Sequence, residues 1–359
     1  MSRFLNEEYV ALEAYTPGEQ PRDKRYIKLN TNESPFPPSD GVLDALNVRE
    51  VADLRLYPDP TCKVLREKLA AVFGCGAENV FVSNGSDDIL NFAFMAFFSD
   101  GVLFPDVSYG FYKVYAELHG VLHETVPLRE DFSIAVDDYV GKNKNVVIAN
   151  PNAPTGLCLS RGEVERIVAS NPDRVVLVDE AYVDFGGESA IPLVQKYDNL
   201  LVVRTFSKSG SLAGGRLGVA VGSAALISDL EKIKYSTNPY AINRLTLLAG
   251  ERTVDDREYY AQNCRIIAGN RDYTASALRR LGFFVTESKA NFVFAESPDI
   301  DGETLYKALR DRGILVRFFG KGRIRNFNRI SIGTRADMDA FVEAVGEILA
   351  EHKKQREES

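Results

Sequence analysis

Between residues 79 and 222 short apolar runs alternate with helical segments, and most of the runs end in a loop rich in Gly, Ser, Asn or Asp. The runs at 79–83, 101–104, 145–149, 174–178, 199–204 and 219–222 read as strands of a sheet covered on both faces, and 121–126 as a further strand. Helical periodicity at 89–98, 108–118 and 161–170 separates several of them. Strands joined through helices run parallel, and the predicted class is α/β, a mainly parallel sheet sandwiched by helices. In such sheets ligands bind beyond the carboxyl ends of the strands. The polar loops at 84–88, 108–109, 150–156, 179–182 and 205–208 all fall there, which aims five strand ends at one rim.

The flanks differ from this pattern. Residues 1–38 read as an arm, since Pro17, Gly18, Pro21, Pro35, Pro37 and Pro38 break any helix and only 25–29 has strand character. A helix is expected at 63–73, stopped by Gly74. Beyond residue 222 helices at 223–234, 243–251 and 255–281 lead to a smaller α+β unit. It has strands at 283–287, 291–295, 314–317 and 329–332, helices at 302–312 and 336–352, and a polar tail at 353–359 expected to fray. The predicted organisation is an arm at 1–38, a large domain at 39–254 and a small domain at 255–359.

A net charge of −8 leaves no electrostatic footprint for nucleic acid or an anionic membrane, so an anionic ligand needs a local cluster. The amino end carries acids in place of the apolar stretch of a secretory signal, and the run at 89–98 is too short to span a bilayer, so the cytoplasm is expected. Cys62, Cys75, Cys158 and Cys264 lack C-x-x-C spacing and are expected as buried free thiols. His119 and His123 have i, i+4 spacing, but Gly120 lies between them without an H-E-x-x-H frame; no metal site is expected.

The chemistry concentrates at 205–218. Lys208 leaves a strand amid the hydroxyls of Thr205, Ser207 and Ser209, with the guanidinium of Arg216 ahead, which suits a Schiff base to an aldehyde cofactor whose phosphate is held nearby. The same composition also fits a solvated Ser/Gly loop with one surface lysine. A second anion site is expected at 84–88, where a turn of small residues enters a helix and backbone N–H groups point outward. Ser86, Asp87 or Asp88 would cap that helix.

In order, Asn150-Pro151-Asn152-Ala153-Pro154-Thr155-Gly156, Asp179-Glu180-Ala181-Tyr182, and Lys208 with Arg216 resemble the motif series of fold type I pyridoxal-phosphate aminotransferases of the class II group, most closely the histidinol-phosphate aminotransferases. The likeness runs from Asn30-Thr31-Asn32-Glu33 to Arg329-Ile330-Ser331-Ile332-Gly333-Thr334, nearly the whole chain. It implies pyridoxal 5'-phosphate as cofactor, with Lys208 as its covalent anchor and the base that moves the substrate proton. Asp179 would face the pyridine nitrogen; the alternative makes it a strand-end cap and Glu180 the functional acid. Tyr182 and Asn152 would share the phenolic oxygen, although Ala153 departs from the usual Asn before Pro154. Tyr109 would stack on the ring, or belong to the core, as Phe111, Tyr112 and Tyr115 also could.

For the phosphate the likeness implies Ser86, Asp87, Thr205, Ser207 and Arg216, with Tyr57 reaching in from a second subunit, hence a homodimer with shared active sites. Arg329 would hold the substrate carboxylate and Arg317 a substrate phosphate, with Tyr15 and Asn32 closing over them. Arg323 and Arg325 have no assigned part. The implied activity is histidinol-phosphate transamination with 2-oxoglutarate, in histidine biosynthesis. Aromatic or broad-specificity amino-acid transamination and threonine-phosphate decarboxylation are the alternatives on the same scaffold. A pyridoxal-phosphate-binding regulator would need a DNA-binding module, for which the chain has no spare segment.

Overall fold

A computed structural model of the chain describes residues 2–358. Met1 and Ser359, the outer ends of the predicted arm and small domain, lie outside them. The arm contributes β1 (Ile27–Lys28) and leads into α1 (Asp40–Ala45), α2 (Val48–Ala52) and α3 (Lys63–Phe73). The alternating region then runs β2 (Val80–Ser83), α4 (Ser86–Phe97), β3 (Val102–Pro105), α5 (Phe111–Leu118), β4 (His123–Val126), β5 (Asn145–Ala149), α6 (Arg161–Ala169), β6 (Val176–Asp179), β7 (Leu200–Thr205) and β8 (Gly218–Gly222). Gly74, in the left-handed region at φ 69°, closes α3 because no Cβ opposes that turn.

The strands form a seven-stranded sheet in the order β2-β8-β7-β6-β5-β3-β4. Pairing is parallel from β7 across to β4, and only β8 runs against its neighbours β7 and β2. Alternate residues feed opposite faces. Val146, Ile148, Leu200 and Val202 pack into one core with α6, while Val147, Ala149, Leu201 and Val203 pack into another with α4 and α5. Burial on both faces is what the unbroken apolar runs require, at roughly 1.5–3 kcal/mol for each large side chain removed from water.

After β8 come α7 (Ala224–Thr237), α8 (Arg244–Asp255) and the long α9 (Arg257–Arg280). Next are β9 (Phe284–Val285), β10 (Phe292–Glu296), α10 (Gly302–Asp311), β11 (Ile314–Leu315), β12 (Arg317–Phe318), β13 (Asn328–Ser331) and α11 (Arg335–Glu357). A four-stranded sheet, β12-β13-β10-β9, packs beneath α9 and α11. The strand expected at 314–317 is divided: β11 pairs in parallel with β1 of the arm, and β12 pairs with β13. The arm supplies a second edge, and the chain crosses from one sheet to the other at the buried Val316.

Two further expectations change. The tail does not fray at 353, because α11 continues to Glu357 with an i, i+4 pair between Lys353 and Glu357 and strong helix formers throughout. Of the thiols, Cys62 and Cys264 are buried, but Cys75 and Cys158 are partly exposed. His119 sits at the end of α5 against Asn91, and His123 stacks on Phe104; no metal-binding cluster occurs among the described residues.

Candidate active site

The carboxyl ends of β2, β3, β5, β6 and β7 meet at one edge of the sheet, and the reversed direction of β8 brings Arg216, just before its amino end, to the same edge. A cavity of about 260 Å³ opens there, with Lys208, Asp179, Tyr182 and Tyr109 in its wall. A larger cavity, about 510 Å³, lies behind the 205–210 loop against α3 and α9. Its wall is largely apolar and contains no lysine, so the paired acid and base belong to the smaller one.

Lys208 Nζ donates to the carbonyl of Thr31 in the arm at 3.2 Å. Burial, reinforced by the nearby Arg329 guanidinium, brings its pKa down to about 8, against the pull of Glu33 and Asp87. Asp179 is 5% exposed at the end of β6. Its Oδ2 accepts from Tyr112 Oη at 2.8 Å and its Oδ1 from the Ala181 N–H at 3.1 Å. Burial nevertheless pushes its pKa up to about 6. Glu180 points elsewhere, accepting from the Ala190 N–H and Ser189 Oγ, which removes the alternative in which it, rather than Asp179, serves the pocket.

The Tyr182 hydroxyl oxygen accepts from Asn32 Nδ2 at 2.9 Å and donates to no other group among the described residues, which leaves its proton available to the cavity. Burial raises its pKa, so that proton is retained. Asn32 is itself buried in the left-handed region at φ 56°, and its Oδ1 accepts from Ser331 Oγ at 2.8 Å. It therefore ties the arm to β13 and to Tyr182.

On the opposite wall, Gly85 (φ 86°) turns the chain into α4, and Ser86 and Asp87 form the helix's first turn. A Cβ at Gly218 would stand 2.3 Å from Gly85 C and 2.4 Å from Ser86 N, so β8 can approach this turn only without a side chain. Arg216 Nη1 donates to Ser207 Oγ at 3.3 Å, its Nη2 to Asp87 Oδ2 at 2.8 Å, and Tyr109 Oη reaches Asp87 Oδ1 at 3.0 Å. Thr205 Oγ1 donates to Ser207 Oγ at 3.0 Å. A helix amino end, two hydroxyls and a guanidinium thus converge as a cup suited to an anion.

Other expected site residues lie apart. Asn152 does not reach the cavity: its amide nitrogen donates to the Val107 carbonyl and to Thr155 Oγ1, its oxygen accepts from Ser108 Oγ, and Ala153 lines the wall instead. Loop 150–156 folds inward to satisfy its own buried polar groups, and of the two residues expected at the phenolic oxygen only Tyr182 lines the cavity. Tyr57 is 79% exposed and stacks on Tyr240, outside this chain's own cavity. Arg329 Nη2 donates to the Asn30 carbonyl at 3.1 Å, while its buried Nε has no partner among the described residues. Arg317 donates to the carbonyls of Thr16 and Pro17 in the arm. Tyr15 stacks on Phe111 at 4.2 Å and lies 6.3 Å from Tyr109. Arg323 donates to the carbonyls of Leu128 and Arg129 across from the large domain. Sequence reasoning missed Thr31, Glu33 and the Tyr112 contact to Asp179; no local pattern marks a tyrosine inside a helix as the partner of an acid on another strand.

A mainly parallel sheet with a half-buried lysine, a buried carboxylate and an anion cup on its carboxyl rim defines a fold type I pyridoxal-phosphate-type scaffold. The chain belongs to the class I and II aminotransferases, since the family model described as aminotransferase class I and II matches residues 24–345. It is 48% identical to the histidinol-phosphate aminotransferase of Brachyspira hyodysenteriae over 97% of this chain and 99% of that protein. It is 47% identical to that of Clostridium acetobutylicum over 98% of this chain and 100% of the relative. The crystal structure of the Sinorhizobium meliloti histidinol-phosphate aminotransferase in complex with pyridoxal-5'-phosphate superposes with a TM-score of 0.82 at 25% identity, over 91% of this chain and 92% of that one.

Proposed function

We propose that this chain transfers an amino group between L-histidinol phosphate and 2-oxoglutarate, giving imidazole acetol phosphate and glutamate in histidine biosynthesis, with pyridoxal phosphate held at Lys208. The observation that carries the reading is the group of side chains around one small cavity: Lys208 with its charge disfavoured and the buried carboxylate of Asp179 both stand in the wall, and Arg329 lies close enough to bear on the lysine's charge, with a buried Nε that has no partner among the described residues. Such an unpaired donor fits an anionic substrate group. The identities of 47–48% to curated relatives of that name, over nearly the full length, support the substrate.

The residues also fit the cofactor. The cup of Ser86, Ser207, Thr205 and Arg216 matches a phosphate, and Asp179, costly to bury as an anion, gains a partner in a protonated pyridine nitrogen. When bound, the cofactor supplies an electron sink for the substrate Cα. Neutral Lys208 Nζ takes the Cα proton and returns it, and a pKa near 8 leaves far more of it neutral at physiological pH than an ordinary lysine. Tyr182 would donate a hydrogen bond from its hydroxyl to the cofactor's phenolic oxygen while keeping its proton. Tyr109 would cover the ring, and Tyr15, stacked on Phe111 and 6.3 Å from Tyr109, would exclude water from the arm side.

Arg329 meets a substrate carboxylate, and Arg317, released from the arm carbonyls, a substrate phosphate. Tyr57 belongs to the neighbouring active site of a cytoplasmic homodimer. The arm at 1–38, cofactor domain at 39–254 and small domain at 255–359 are the working units of this reading. The test is a half-reaction: the yellow holoenzyme is mixed with histidinol phosphate and, separately, with phenylalanine, and loss of the yellow absorbance is followed. Fast bleaching by histidinol phosphate is expected. Bleaching by phenylalanine alone would reassign the substrate to aromatic amino acids.

A further inference from the structure

Tyr112 is fully buried in the second position of α5, three residues after Tyr109, so both tyrosines project from the same side of that segment's start. Tyr109 turns to the cup and meets Asp87, whereas Tyr112 passes beneath it, edge-on with ring centroids 5.6 Å apart, and meets Asp179. A phenylalanine would fill the same core space among Phe104, Ala116 and their neighbours. The hydroxyl therefore adds something beyond packing, and among the described residues it donates to Asp179 Oδ2 at 2.8 Å. Asp179 has no cation of its own within hydrogen-bond reach: Tyr112 from α5 and the Ala181 N–H are its donors, Asp87 from α4 opposes its charge, Lys208 favours it from a distance, and Tyr182 stands nearby.

We propose that Tyr112 is a positioning residue for the cofactor-facing carboxylate: its hydroxyl pins Asp179 Oδ2 and keeps the carboxyl charged and oriented toward the cavity. The proposal rests on the reading that this cavity holds pyridoxal phosphate. Two donors fix the plane of the carboxyl, leaving its remaining lone pairs for a ring N–H. Without the phenol, the carboxyl keeps one backbone donor, protonates more readily and is free to rotate.

The test is a double-mutant cycle with Tyr112→Phe and Asp179→Asn. In apoprotein labelled at its aspartate carboxyls, the Asp179 resonance is identified by its loss in Asp179→Asn and titrated by NMR. Tyr112→Phe is expected to raise its midpoint by about one pH unit, the size of one good hydrogen bond to the charged form. Pyridoxal phosphate affinity is expected to fall about tenfold in Tyr112→Phe, yet by less than about twofold when the same change is made on top of Asp179→Asn. An unmoved midpoint, or an equal loss of affinity in both backgrounds, overturns the proposal and leaves Tyr112 a core aromatic. If the wild-type protein binds no pyridoxal phosphate, the cofactor reading fails, while the apoprotein titration still decides whether Tyr112 governs Asp179.

Discussion

Burial opposes charge at both Lys208 and Asp179, and the two therefore pull apoprotein stability in opposite directions along the pH axis. Lys208 titrates at about 8 in the fold against an ordinary 10.5, so its contribution to stability is present above about pH 10.5 and is lost as the pH falls through 8. Asp179 titrates at about 6 against 3.8, so its contribution is present below 3.8 and is lost as the pH rises through 6. At pH 7 the apoprotein bears both costs, which is the usual relation between a reactive site and the stability of its scaffold. Lys208→Met is expected to raise the melting temperature of the apoprotein by a few degrees at pH 7, on the order of 1–2 kcal/mol. The advantage should shrink between pH 8 and 10.5, as the wild-type lysine loses its proton in the unfolded chain as well. Scanning calorimetry of the two apoproteins across that range measures it; a pH-independent difference would mean that packing, and not charge, sets the gap.

At the scale of elements, one antiparallel strand does the decisive work. Were β8 parallel to β7, Arg216 would lie at the far edge of the sheet; reversed, it delivers the guanidinium and the bare backbone of Gly218 to the start of α4. Gly218→Ala would drive a Cβ into the Gly85–Ser86 peptide, and that backbone cannot swing aside as a flexible side chain could. The expected result is a loss of pyridoxal phosphate affinity of about 10–100-fold with unchanged secondary structure, read by cofactor titration beside circular dichroism. Gly214→Ala, where a Cβ meets nothing within 4 Å, is the control and should bind normally.

At the scale of the whole molecule, a run of exposed apolar side chains lies at 48–57. Val48 is 85% exposed, with Val51, Leu54, Leu56 and Tyr57 following it, and Tyr57 stacks on Tyr240 beside α8. Exposed apolar residues of this kind suit the subunit interface of the proposed homodimer, and they include Tyr57, which like Asn152 stands outside this chain's own cavity. Val48→Glu combined with Val51→Glu is expected to yield a monomer in analytical ultracentrifugation and to lower activity at least about tenfold, because each site would lack its borrowed tyrosine. A fully active monomer would refute the shared site.

Alternation of buried strands with helices, polar loops at the strand ends, and the placement of Lys208, Asp179 and Arg216 at those ends were determined by the sequence itself, because each depends on neighbours within a few residues. The helix at Lys63–Phe73 and the strand at Asn145–Ala149 appear with the bounds their periodicity implies. Tertiary structure decided what each of those groups touches. Tyr112 meets Asp179 across 67 residues, Asn32 meets Tyr182 across 150, and Lys208 meets Thr31 across 177. It also turned Asn152 away from the cavity and joined the arm to β11. Hydrogen-bond satisfaction of buried groups is settled only when distant segments arrive together, so no local pattern of residues can record it.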